Sequence, residues 1–274
     1  MISYRDITTG LSALGLNRST PLVAHVNYPN LGAVKGGVNT VVGALLATVD
    51  NLMMPAFTYT TLVIPESGPP DNDLAYGSGR LSNLQAHIYA HDLPVETGDY
   101  EAVEELRKYP GIYRSSHPVF SFVGLGMDVA LVNHPADKPY APLQVAHKLD
   151  SWVLLMGAEP SANFSLHWAE KLAGRKQFTR WALTADGIEE IPHFPGCPEG
   201  FHKIHYYLQD ELHTVRVGET DWYAVRLDVL VSTAVALIKE DSFALLCNDM
   251  YCKRCNMVRG AIKAQYARQW RAEV

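Results

Sequence analysis

The stretch Trp152–Gly174, WVLLMGAEPSANFSLHWAEKLAG, constrains the chain more than any other. An apolar run over Trp152–Met156 breaks at Gly157 and Pro160 and gives way to a helical pattern ending at Gly174, so the stretch reads as strand, turn and helix. Ser161 and Asn163 each offer a short side-chain oxygen to the free backbone donors of the first turn. Inside the helix His167 precedes Glu170 by three residues, which places an imidazole and a carboxylate on one face. A helix start just past a strand end is where open α/β sheets usually bind ligands. The helix also carries two apolar stripes, one of Phe164, Trp168 and Leu172 and one of Leu166, Ala169 and Ala173. His167 therefore reads either as a proton-transfer group or as a hydrogen-bonded core histidine.

A chain of 274 residues, 47% of them apolar, can bury a large core, enough for one big domain or two small ones. A formal charge of -6 with mixed signs argues against nucleic acid or an anionic membrane as partner and is compatible with a cationic small molecule. The N-terminus, MISYRDITTGLSALG, lacks a basic region followed by an unbroken apolar core. The apolar stretch Leu227–Ile238 is interrupted by Asp228 and too short to span a bilayer, so the expectation is a soluble cytoplasmic protein. In that setting Cys197, Cys247, Cys252 and Cys255 suggest a metal or redox site more than a disulfide framework. Four thiolates would complete a tetrahedral zinc site, and separate reduced thiols are the alternative.

Along the chain, Leu22–Val26 reads as a strand. Val38, Val41, Val42, Leu45, Leu46 and Val49 then mark one buried helix face, and Leu52–Phe57 is a second strand. Lys35, Gly36, Gly37 and Val38 stand at that helix's N-terminus, which either faces an anion such as a phosphate or is a simple tight turn. Residues 61–93, rich in Pro, Gly, Asp and Asn, read as a surface excursion of the kind that walls a substrate site. A short helix over Glu101–Lys108 precedes a strand over Val119–Val123, with Arg114, Ser115, His117 and Ser121 clustered around its start. That cluster fits ligand chemistry or an exposed loop. Strands over Phe178–Leu183, His213–Val217 and Trp222–Arg226, a helix over Val229–Lys239 and a final amphipathic segment complete the pattern. The expectation is an α/β fold in one domain, a mixed sheet sandwiched by helices, with the Lys35–Gly37 turn on the same side of the sheet as His167.

Five segments taken in order carry a family resemblance: GAVKGGVNTVVGALLATVDNLMMPAFTYT, RSSHPVFSFVGLGMD, WVLLMGAEPSANFSLHWAE, PGCPEGF and LLCNDMYCKRC. Together they resemble the aminoglycoside 3-N-acetyltransferases, also called antibiotic N-acetyltransferases. The resemblance implies a single α/β domain, unrelated to GNAT acetyltransferases, that moves an acetyl group from acetyl-coenzyme A to an amine of an aminoglycoside or similar small polyamine. It implies His167 as general base, Glu170 as the acid that holds it or binds the amine, and a coenzyme channel lined by Lys35–Val38 and the Arg114–Ser121 cluster. Ser121 or backbone N–H groups would stabilise the oxyanion. The chain departs from the family pattern at Phe164, where a hydroxyl is usual, at Val26, Asn27 and Tyr28, where serines are common, and at Pro192 and His193, where an acidic pair is common. His193 is thereby a third candidate catalytic residue, with Glu189 and Glu190 as possible substitutes for the acid. Two other functions stay open: a relative that binds coenzyme A or an aminoglycoside without efficient transfer, and a metal-dependent hydrolase, for which no HExxH pair is present.

Overall fold

A computed structural model describes residues 1–96 and 100–273 of the chain. Three parallel strands form the centre of the main sheet: β1 (Leu22–Val26), β2 (Leu52–Pro55) and β6 (Trp152–Met156). Apart from His25 in β1 and the half-buried Trp152 that opens β6, their residues are apolar and buried, as suits strands covered on both faces. The sheet has seven strands in the order β4-β5-β2-β1-β6-β10-β9. Its antiparallel flanks are β4 (Tyr113–Arg114) and β5 (Phe122–Leu125) on one side, β9 (His213–Val217) and β10 (Thr220–Arg226) on the other. A smaller antiparallel sheet of β3 (Leu62–Val63), β7 (Phe178–Thr184) and β8 (Gly187–Phe194) lies apart from it.

The alternation of side chains along β1 divides the molecule into layers. Leu22, Ala24 and Val26 point into an apolar layer with α1 (Tyr4–Ala13), α2 (Gly37–Thr48) and α3 (Tyr100–Leu106). Val23 points into the opposite layer, with α4 (Asp128–Leu131), α5 (Ala141–Lys148), α6 (Phe164–Leu172), α7 (Ile204–Tyr207), α8 (Leu227–Glu240) and α9 (Lys253–Glu273). The two cores are thus the two faces of one sheet, and the architecture is the mixed α/β sandwich expected. In α2, Val41, Val42, Ala44 and Leu45 are fully buried, and each large aliphatic contributes about 1.5–3 kcal/mol.

Helix α1 and strand β8 have no counterpart in the sequence reading, and two expected elements take a different form. The strand expected at Val119–Val123 begins only at Phe122, because His117 Nδ1 accepts the backbone N–H groups of Val119 (3.1 Å) and Phe120 (2.9 Å) and curls the chain there. The stripe of Val258, Ile262, Tyr266 and Trp270 is buried only in its first half, since α9 runs past the core and leaves Tyr266 and Trp270 exposed. Among the described residues no helix is long and apolar enough to cross a membrane.

Candidate functional site

Helix α6 is built from its ends. Asn163 caps it, its side-chain oxygen accepting the N–H of Ser165 at 3.1 Å. At the other end Gly174, with φ +80°, allows a double turn in which Gly174 N–H meets Lys171 O (3.0 Å) and Arg175 N–H meets Glu170 O (3.0 Å). That reversal carries Arg175 back over the helix. Its guanidinium donates to Glu170 Oε1 at 2.8 Å and to the carbonyls of Ser242 (2.9 Å) and Ala244 (2.6 Å). The other oxygen, Glu170 Oε2, lies 2.8 Å from His167 Nδ1. Glu170 is 2% exposed, so the buried carboxylate is compensated by the arginine on one side and oriented toward the imidazole on the other. Bonding of Nδ1–H to the carboxylate selects the tautomer whose free lone pair is on Nε2.

The His167 ring lines a cleft of about 670 Å³ at the C-terminal ends of β1 and β6. Phe201 meets the ring edge-on with centroids 4.7 Å apart, and Phe164, in place of a hydroxyl, anchors an aromatic floor with Phe57 and Phe120. His25 and Asn27 of β1 and its following loop, Glu159 and Ser161 before α6, and Glu96 add polar groups to the walls. Arg180 and Phe194 come from the small sheet, Gly196 and Pro198 from the loop after it, and Arg254 from α9. Both guanidinium groups stack on Phe194, at 5.0 Å for Arg180 and 5.7 Å for Arg254, and burial lowers the Arg180 pKa to about 10. Glu159 and Arg254 fall inside two of the five family segments and His25 and Arg180 inside expected strands, yet the sequence reading assigns none of them to the site; Glu96 leaves no local trace, and Arg175 only its place one residue past the helix-ending glycine.

Several expected site residues lie elsewhere. Arg114, Ser115, His117 and Ser121 are all buried, and none lines the cleft. Arg114 donates to Ser121 Oγ (3.0 Å) and to the carbonyls of Ala56, His91 and Leu93, while Ser121 donates to Ala56 O at 2.6 Å. Ser115 Oγ bonds the N–H of Phe122 and His134 Nδ1. Of the four side chains Arg114 alone ties its strand, β4, to the excursion, at His91 and Leu93, while the others bond neighbouring backbone and His134; Ser121 has no free hydroxyl to offer an oxyanion in the cleft. His193 is displaced by a bulge: one extra residue of β8 opposes β7 here, His193 takes φ 60°, and Phe194 faces the cleft instead. Burial, and then Lys171, lower the His193 pKa. Glu189 is bonded to Thr184 Oγ1 at 3.0 Å and does not reach the cleft either. The Lys35–Val38 turn opens at the same end of the sheet as α6, because β1 and β6 are parallel neighbours, but α2 packs on the opposite face. Gly36 and Gly37 there have φ +85° and +70°. The four cysteines do converge, with their sulfurs within 4.8 Å of one another.

Burial without a partner for Nε2 lowers the His25 pKa to about 4, so the ring is neutral in the folded protein. The unfolded chain takes up that proton from about pH 6.5 downward. Stability is therefore full above pH 6.5 and declines as pH falls toward 4, by up to about 1.4 kcal/mol per pH unit from this group. His134, lowered by burial to about 3, and His117, lowered well below the usual range by burial and then by His134 beside it, act with the same sign. Urea midpoints should fall between pH 7 and pH 5, less steeply in His25→Gln; a flat profile would contradict the neutral buried histidines.

A family profile described as aminoglycoside 3-N-acetyltransferase matches residues 23–239. Aminoglycoside N(3)-acetyltransferase IX of Micromonospora chalcea is 33% identical over 185 residues, and the alignment spans 63% of this chain and 63% of that relative's length. The crystal structure of the aminoglycoside acetyltransferase AAC(3)-IVa apoenzyme superposes with a TM-score of 0.74 at 20% identity, over 94% of this chain and 97% of that one. AAC-IIIb, solved as a binary complex with CoASH, superposes with a TM-score of 0.68 at 21% identity, over 87% and 96%. The profile covers β1 through almost all of α8, with the His167–Glu170 pair and most of the cleft inside it, and the chain belongs to the aminoglycoside 3-N-acetyltransferase family.

Proposed function

We propose that the protein transfers the acetyl group of acetyl-coenzyme A to an amine of an aminoglycoside or similar small polyamine. The observation that carries this reading is the His167–Glu170 pair, with Nδ1 held at 2.8 Å and the ring edge opening on the cleft. As the amine nitrogen attacks the thioester carbonyl, Nε2 takes the ammonium proton; the C–N bond forms, the C–S bond breaks, and the proton passes to the departing thiolate. Glu170 stabilises the transient imidazolium. The exposed carboxylates of Glu96 and Glu159 suit a polycationic acceptor, and the amide-rich start of α2 at Lys35–Val38 suits a phosphate of the coenzyme. The name of the Micromonospora relative and the CoASH bound by AAC-IIIb support the same reading. Four free cysteines fit a reducing compartment, hence the cytoplasm.

The test is thiol release from acetyl-coenzyme A across aminoglycosides and simple amines. Turnover on a polyamine well above the rate without acceptor is the expected result. Coenzyme binding by calorimetry with no release on any acceptor would replace transfer by binding alone.

A further inference from the structure

Behind the cleft wall three separate segments bring sulfur together. Cys197 begins the turn Cys197-Pro198-Glu199-Gly200, Cys247 lies in the loop after α8, Cys252 precedes α9 and Cys255 sits in its first turn. The approach is set by Gly200, where an added Cβ would lie 2.3 Å from Leu245 O, so only glycine lets the first turn lie against the backbone of the second. Leu245 itself takes φ 60° to complete the fit. All four sulfurs lie within 4.8 Å of one another, and those of Cys247 and Cys255 are 3.3 Å apart. Zinc–sulfur bonds of about 2.3 Å at tetrahedral angles require sulfurs about 3.8 Å apart, a spacing within this range.

The surroundings suit an anionic centre. Four thiolates around one divalent ion carry a net double negative charge, and the α9 N-terminus points its positive end at Cys252 and Cys255. Lys203 Nζ donates to Leu246 O (2.7 Å) and Asn248 Oδ1 (2.8 Å), Arg259 donates to Cys247 O, and Arg254 stands next to Cys255. We propose that Cys197, Cys247, Cys252 and Cys255 bind one zinc ion, a staple that fixes the wall of the cleft. Gly196 and Pro198, on either side of one ligand, and Arg254, beside another, line the cleft directly. The ion has all four positions filled by protein and so takes no part in chemistry.

Metal content is read without any acetyl-transfer assay, so this proposal stands or falls apart from the activity. Protein expressed with zinc and purified without chelator should hold one zinc per chain, and Cys252→Ser should lower that content at least about tenfold. Cobalt substitution of the unaltered chain gives a second reading that does not depend on the variant's yield. Intense visible bands of a tetrahedral tetrathiolate centre are expected, and chelation should lower the melting temperature. Metal-free folded protein with four thiols reactive to a disulfide reagent would overturn the proposal, as would a Cys247–Cys255 disulfide found by mass spectrometry.

Discussion

Replacing His167 with alanine should lower kcat for acetyl transfer by about 10²–10⁴-fold, the usual contribution of a general base. The fall should appear equally in kcat and kcat/KM, since in the proposed mechanism the ring acts in the transition state and not in holding the substrates. Coenzyme affinity measured by calorimetry should be unchanged. Stability should change little, because Glu170 keeps its ion pair with Arg175 when the imidazole is gone, and the loss is confined to one hydrogen bond of about 1 kcal/mol and the contact with Phe201. His167→Gln restores a side-chain N–H donor without a basic nitrogen, so it should recover stability and not rate. Wild-type turnover in His167→Ala on the best acceptor would show that the histidine is a packing residue.

The strand, turn and helix around this histidine were legible because their determinants are local. The apolar run of β6 stops at Gly157, and α6 is bounded by a capping asparagine and a left-handed glycine, all readable within a few residues. The Arg114–Ser121 cluster was misread for the opposite reason. An arginine, two serines and a histidine have the same composition in a ligand site and in a buried polar network; the carbonyl of Ala56, a partner distant in sequence, decides between them. Much of the cleft was hidden in the same way. Arg180 and Arg254 reach it from the small sheet and α9, and a one-residue bulge exchanged His193 for Phe194. Neither His193 nor Glu189 of β8 therefore reaches the cleft. Glu170, on the same helix as His167, already holds its Nδ1.

Glu170→Gln should consequently be far from mild. If Glu170 only oriented the imidazole, its amide substitute would be milder than the loss of His167, but in the fold this side chain answers two cationic or proton-bearing groups at once. Glutamine leaves the Arg175 guanidinium, 2% exposed, without a counter-charge; breaking a buried pair from one side costs about 3–5 kcal/mol. The rate should also fall, since no anion remains to stabilise the imidazolium. Arg175→Met errs the other way: it leaves the buried Glu170 carboxylate without its counter-charge and should cost about 3–5 kcal/mol in its turn. The double variant Glu170→Gln/Arg175→Met removes both charges and should be more stable than the sum of the single effects by at least about 1 kcal/mol. Its activity should stay low, because stability depends on the charge balance whereas the proposed proton transfer depends on the anion itself. Urea denaturation of the four proteins, with turnover measured on the folded fraction, tests this cycle. Additive stabilities would mean that the two side chains do not act as a pair, and recovered turnover in the double variant would free the base from any need of Glu170.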